Sequence, residues 1–240
     1  EEKDSLVKTL EAAKKGYETL QAEKKKAEED LTAAKADLEK QKAAAEKALA
    51  EPLFFVDRFT AFSVGPVWEI KEGEVKIQDD ALVMSGQAGA TALCRLKLRG
   101  NYQIEYDASI ANANDAKGFS DLSCFLVSDE KAPLTSGYFV GFGTNGNTRC
   151  RIARAGKDVA QQDGPVLKEK TTYRVRVVWK DGALQLHYRE LGEKGSAPGE
   201  ETLALEFKDP DPLGKSGGCF GLHTFGAVAH FDNVRVSPAP

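Results

Sequence analysis

The feature that most restricts this chain is the change of character at Glu51-Pro52. Residues 1–51 contain no proline and consist largely of Ala, Glu and Lys, which are strong helix formers. From 52 onward, short runs rich in Val, Ile, Phe and Tyr are broken by Gly, Pro and Asp, the punctuation of strands and turns. Proline at 52 stops a helix, because it lacks an N–H and its ring clashes with the preceding turn. Two parts are therefore expected, a helical arm at 1–51 and a β-domain at 52–240.

In the arm, positions spaced alternately four and three apart give Leu6, Leu10, Ala13, Tyr17, Leu20, Lys24, Ala27, Leu31, Ala34, Leu38, Gln41, Ala45 and Ala48. A seam held over about six heptads predicts a long coiled coil. Its oligomerisation contacts would be Leu6, Leu10, Tyr17, Leu20, Leu31 and Leu38, in a homo-oligomer of two or three chains. A helix of this length would extend about 75 Å at 1.5 Å per residue. The seam is thin, since Ala holds five positions and Lys24 and Gln41 interrupt it. Pairs such as Lys24/Glu28 and Lys25/Glu29 put Lys before Glu, the weaker order for an isolated helix. The competing reading is a solvated single helix.

The totals exclude several functions. Lys and Arg number 33 against 37 acids, for a net charge of -4, and both parts share it equally. No basic footprint for nucleic acid exists. No apolar run approaches the roughly 20 residues that span a bilayer. The chain begins at Glu1 without a signal-peptide h-region, the expectation for a processed or partial form of an extracellular, cell-surface or periplasmic protein. Cys94, Cys124, Cys150 and Cys219 lack the spacing of a zinc or redox motif. Each falls in a strand-like run, where a free thiol packs as a small apolar residue. Two disulfides, in any of three pairings, are the alternative.

Thirteen strands are predicted: Phe54–Phe59, Glu74–Gln78, Ala81–Ser85, Ala92–Leu98, Tyr102–Ile110, Leu122–Ser128, Tyr138–Thr144, Thr148–Arg154, Tyr173–Lys180, Ala183–Glu190, Thr202–Phe207, Cys219–Thr224 and Ala229–Val236. Period-two alternation marks several. Tyr102, Ile104, Tyr106 and Ala108 face opposite to Gln103, Glu105 and Asp107. Tyr173, Val175, Val177 and Trp179 face opposite to Arg174 and Arg176. Such strands have one dry and one wet face, as a two-sheet antiparallel sandwich requires. Lys180-Asp181-Gly182 between two alternating runs predicts a hairpin, and Ala155-Gly156-Lys157 is a weaker signal. Trp68 and Trp179 are expected in the core.

The β-domain resembles the concanavalin A-like lectin/glucanase superfamily. The resemblance rests on Phe55-Val-Asp-Arg-Phe59, on Trp68 with Gly73-Glu-Val-Lys-Ile-Gln-Asp-Asp-Ala-Leu-Val83, and on the hairpin Tyr173–Leu186. Gly218-Cys-Phe-Gly-Leu222 and Phe231-Asp-Asn-Val-Arg-Val236 complete it. It covers nearly all of 53–240 and is nearest the laminin-G-like members. It implies a mainly β jelly-roll sandwich. The superfamily holds lectins, adhesive modules, structural domains and glycoside hydrolases. It also implies a structural calcium ion between first and last strands, with Asp57 and Asp232 at the matching positions.

A retaining glycosidase needs two carboxylates about 5–5.5 Å apart. The β-glucanase pattern Glu-x-Asp-x-x-Glu is met only by Glu105 and Asp107, and Ile110 stands where the acid/base belongs. These two are the weak catalytic candidates. The histidines have no metal-ligand spacing. Gly141-Phe-Gly-Thr-Asn-Gly146 lies between strands with no helix after it, so it is a turn and not a phosphate cradle. The ligand-binding candidates are Arg149, Arg151, Arg174, Arg176, His187 and Arg189, which would form a partly basic face if their strands are neighbours. Loops 111–120 and 129–136 are the candidate recognition edge. The expectation is a non-enzymatic, oligomeric, lectin-like protein that binds a glycan or a cell-surface protein or serves structural or adhesive assembly. A glycoside hydrolase of the same superfamily is the alternative.

Overall fold

A computed structural model describes residues 14, 16, 21, 23–36, 38–40, 54–61, 63–113, 121–127, 129–191, 199–213 and 218–240. The chain divides into two compact units, Glu1–Glu51 and Pro52–Pro240.

In the first unit the described residues are helical. The continuous stretch 23–36 is helical, as are the described residues 14, 16, 21 and 38–40. Leu31, and Leu38 in the described residues 38–40, are 55% and 51% exposed. Leu6, Leu10, Tyr17 and Leu20 lie outside the described residues. An Ala-rich seam offers little area to bury, and buried area is what drives helices together. The ion pairs Lys24–Glu28 (3.9 Å) and Lys25–Glu29 (4.0 Å) are well exposed and so contribute little.

The second unit is an antiparallel β-sandwich. Its strands are β1 (Phe55–Asp57), β2 (Trp68–Glu72), β3 (Glu74–Gln78), β4 (Ala81–Ser85), β5 (Ala90–Cys94), β6 (Tyr102–Ala113), β7 (Ser123–Val127) and β8 (Tyr138–Gly143). β9 (Arg149–Arg154), β10 (Lys157–Asp163), β11 (Thr172–Lys180), β12 (Ala183–Leu191), β13 (Thr202–Lys208), β14 (Cys219–Thr224) and β15 (Ala227–Pro238) follow. Among the described residues, sheet A runs β13-β12-β11-β6-β15-β4-β3, with β1 also paired to β15. Sheet B runs β10-β9-β8-β7-β14-β5-β2.

The sequence pattern misses β2 and β10, the two edges of sheet B. Edge strands are commonly polar, which keeps their free backbone groups from recruiting another chain, so their alternation is faint. β5 also begins earlier and ends earlier than the apolar run predicts. The Asp181-Gly182 turn has φ of 50° and 77°, the left-handed pair that a two-residue hairpin between β11 and β12 requires. Ala155 and Gly156, at 49° and 77°, close β9 onto β10 in the same way.

The inward faces build one core. Ile104, Tyr106, Phe142, Val175, Leu186, Phe220 and Phe231 are almost fully buried in it. Trp68 sits there beside Phe59 and Phe220, while Trp179 is partly buried at its margin. All four cysteines are free and buried. Burial pushes the Cys94 thiol up to about 12 and Cys150 to about 11, so they behave as apolar filler.

Sheet B differs from the expected pattern of one dry and one wet face. β5, β7, β8 and β14 are buried along their whole length. A second apolar cluster of Leu93, Phe125, Val127, Phe139, Ala153 and Cys219 lies on the face turned away from the core.

Candidate functional site

The outward face of sheet B carries a polar row beside that apolar cluster. Glu72, Thr91, His223 and Ser123 pair in register across β2, β5, β14 and β7. Gly141, Arg151 and Gln161 continue the row across β8, β9 and β10. Since neighbouring strands are about 4.8 Å apart, side chains of one row meet directly. The hydroxyl of Thr91 and Nδ1 of His223 are hydrogen-bonded at 2.9 Å. The His223 ring stands edge-on to Phe139 at 5.8 Å. The Arg151 guanidinium lies 4.9 Å over the Phe139 ring and reaches Asp158 at 3.2 Å. Gly221 leaves room for the Phe125 ring, because a Cβ there would fall 2.1 Å from the ring edge.

Asp121 sits two residues before Ser123 and faces the same side, by the strand's alternation. It takes hydrogen bonds from the Ser123 hydroxyl and the Phe225 amide. Burial pushes its carboxyl up to about 8, against the pull of Arg151 and those two donors. Burial, then the Arg151 charge, push His223 down to about 4. The imidazole is therefore neutral at pH 7.

Buried polar atoms are normally hydrogen-bonded. Among the described residues the exceptions are Asp121 Oδ1, Arg151 Nε, Arg189 Nε and Thr224 Oγ1. The first two belong to this face, and Thr224 adjoins His223. One is an acceptor and one a donor.

The turn after β8 runs alongside. Asn145 and Asn147 have φ of 53° and 62°, a strained conformation for residues with a Cβ. It is held by Asn147, whose amide donates to Leu167 O at 2.9 Å while its oxygen accepts from Leu167 N at 2.8 Å.

The expected basic face is divided between the sheets. Arg149 and Arg151 are on β9 in sheet B, whereas Arg174 and Arg176 on β11 and His187 and Arg189 on β12 are in sheet A. Three of these four sheet A residues lie beside carboxylates. Arg174 donates two bonds to Asp107, at 2.7 and 2.9 Å, and lies 3.8 Å from Glu105. Arg176 donates to both oxygens of Glu201, and His187 is 3.9 Å from the same carboxylate.

Glu105 and Asp107 therefore face an arginine. Asp107 also accepts from the Asn233 amide at 3.0 Å. Asp232, opposite Asp107 on β15, accepts from Asn233 N at 2.6 Å. Asp57 accepts from Phe59 N and from Trp68 Nε1, both at 2.9 Å. Its two oxygens fix the first turn and the core tryptophan. Against the 6–8 oxygens that calcium takes, Asp57 and Asp232 do not fit an ion. Among the described residues no group of three or more His, Cys, Asp or Glu could hold a metal.

Asp121, Ser123, Thr91 and His223 are absent from the sequence-derived candidates. Each sits in or beside an apolar run, and only the strand order reveals them as one row. The one available signal was the lack of alternation in β5, β7, β8 and β14, which implies that both faces are covered.

No protein-family model matches the sequence, and neither does any curated protein. Solved structures do resemble it. A carbohydrate-binding module, CBM66 from Bacillus subtilis, superposes with a TM-score of 0.56 at 16% identity, covering 71% of this chain and 95% of that one. The exoplasmic/lumenal domain of VIP36, in a Ca2+/Man2-bound form, gives 0.57 at 9% identity, covering 78% and 87%. Lectin I from Ulex europaeus, in complex with the methyl glycoside of alpha-L-fucose, gives 0.58 at 10% identity, covering 78% and 98%. At such identities the likeness shows the fold alone, a two-sheet antiparallel β-sandwich.

Proposed function

We propose that the β-sandwich is a non-catalytic carbohydrate-binding domain, with its sugar site on the outward face of sheet B. The observation that carries this is the pair of unsatisfied buried atoms, Asp121 Oδ1 and Arg151 Nε. Leaving such a group unpaired costs about 1–3 kcal/mol. A sugar hydroxyl both donates and accepts, so it can satisfy the two together, and Phe139 supplies the apolar surface that sugar sites use beside their polar groups. The VIP36 and Ulex lectin structures contain sugars, which supports the same reading.

Of the six basic candidates, the proposal keeps Arg149 and Arg151. Arg174, Arg176 and His187 face carboxylates and serve the sandwich itself. Arg189 stays outside the proposed site. Catalysis by Glu105 and Asp107 is disfavoured, because both carboxylates face Arg174 and Ile110 stands where the acid/base belongs. The site is charge-balanced, with Asp158 and Asp163 against Arg151 and Arg149, which favours neutral over acidic glycans. An extracytoplasmic location belongs to this reading, and no described helix is long and apolar enough to cross a membrane. So does self-association through the helix face bearing Leu31 and Leu38, which would supply avidity to weak sites.

A glycan array with the full chain tests the site. Neutral glycans should be retained, and Asp121→Asn and Arg151→Gln should each weaken binding by about tenfold, the scale of one hydrogen bond lost at a buried polar site. Unchanged binding in both variants moves the site elsewhere. Polysaccharide turnover lost in Glu105→Gln would make the protein an enzyme.

A further inference from the structure

The outward apolar cluster of sheet B has a cover. Leu93, Phe125, Val127, Phe139, Ala153 and Cys219 face away from the core yet are buried. Leu134 packs against them. It belongs to residues 129–136, between β7 and β8, whose described backbone bonds close on the segment itself. Ala132 N donates to Asp129 O at 3.1 Å, and Thr135 N and Ser136 N donate to Ala132 O at 3.1 and 2.9 Å. Its ends are tied together, with Asp129 N donating to Ser136 Oγ at 2.9 Å. A compact loop with touching ends can move as one body.

Two side chains of the segment reach the sheet's outward face. Leu134 packs on the apolar cluster, and Glu130 pairs with Lys97 at 2.7 Å and lies 3.8 Å from the Cys219 sulfur. A cavity of about 630 Å³ opens alongside, lined by Lys71, Glu72, Thr91, Lys131, Pro133 and Leu134 among others. Thr91 is also the His223 partner, so cavity and polar row share a wall.

We propose that residues 129–136 form a strap over an aromatic platform of Phe125 and Phe139, and that lifting it opens this platform to the apolar face of a sugar ring. The identity of the guest rests on the glycan reading, whereas the opening does not. A surface loop whose backbone bonds close on itself opens at lower free energy than the sandwich unfolds. Once Leu134 leaves, the cluster that holds Phe125 and Phe139 loses its cover, and the polar row gains an apolar surface beside it. The strap thus competes with the guest for the same rings.

Cys219 reports the opening, since it lies under the strap while Cys94, Cys124 and Cys150 lie between the sheets. The native full chain is treated with iodoacetamide and the modified cysteines are mapped by mass spectrometry. Cys219 should react well before the other three. Glu130→Gln should speed Cys219 alone by about fivefold, the scale of one exposed ion pair. Reaction of all four at one common rate, in both proteins, would mean exposure only through global unfolding and would overturn the strap. Amide hydrogen exchange of 129–136 in the unaltered chain gives a second reading: exchange as slow as in β7 also overturns it. A blank glycan array with fast Cys219 labelling removes the sugar and keeps the strap. Glycan binding with slow labelling does the reverse.

Discussion

Asp121 bears two costs in the folded chain: its carboxyl is buried, and one oxygen is unpaired. Its folded pKa, about 8, lies above the ordinary 3.8. The folded state therefore holds the proton more tightly, and stability is fully present below pH 4 and lost as pH rises through 8. Asp121→Asn should remove that loss. Its melting temperature should match the parent near pH 4 and exceed it at pH 8. His223 works in the opposite direction. Its folded value near 4 lies below 6.5, so its contribution is present above pH 6.5 and lost as pH falls through 4. His223→Gln should flatten the acid limb only. Melting curves from pH 4 to 9 check both, and a pH-independent difference for Asp121→Asn would contradict a buried protonated carboxyl. Stability gained with sugar binding lost is the signature of a binding group maintained against its folding cost.

Strands of the two sheets were legible to different degrees. In β6, β11 and β12 the alternation is clean because one face packs and the other meets water, so Glu105, Asp107, Arg174 and Arg176 could be assigned to a wet face. Their pairing was readable only as an option, because it depends on β11 lying beside β6 in a register that sets Arg174 opposite Asp107. That pairing has consequences for stability. Asp107 is nearly buried and holds Arg174 with two bonds, so Asp107→Asn should cost about 2 kcal/mol by urea denaturation. Glu105 is 3.8 Å away and more open, and Glu105→Gln should cost below about 0.5 kcal/mol. The reverse ranking would show that Glu105 is the arginine's main partner. In β5, β7, β8 and β14 the apolar runs have no alternation, and nothing in such a run says which residues face the core and which face outward.

The two units make separate claims about assembly. Light scattering should find the full chain self-associated and residues 52–240 monomeric, because Leu31 and Leu38 are exposed on the helix while the sandwich edges β2 and β10 are polar. A full chain that is monomeric at micromolar concentration removes avidity from the proposal and leaves the sugar site untouched. The sequence by itself determined the split at Pro52, the all-β character of the second unit, its principal strands and the Asp181-Gly182 turn. These follow from local chemistry: proline's missing donor, period-two alternation and the left-handed preference of Asp-Gly. It left association of the helix open, since a heptad pattern records which positions are apolar but not whether they bury enough area to associate. Only the tertiary structure decided which strands are neighbours. That placed Arg149 and Arg151 on the opposite sheet from Arg174 and Arg176, and brought Asp121, Ser123, Thr91 and His223 into one row. Thr91 and His223 stand 132 residues apart in the chain. Their meeting is set by β5 pairing with β14, a long-range choice that no local pattern encodes.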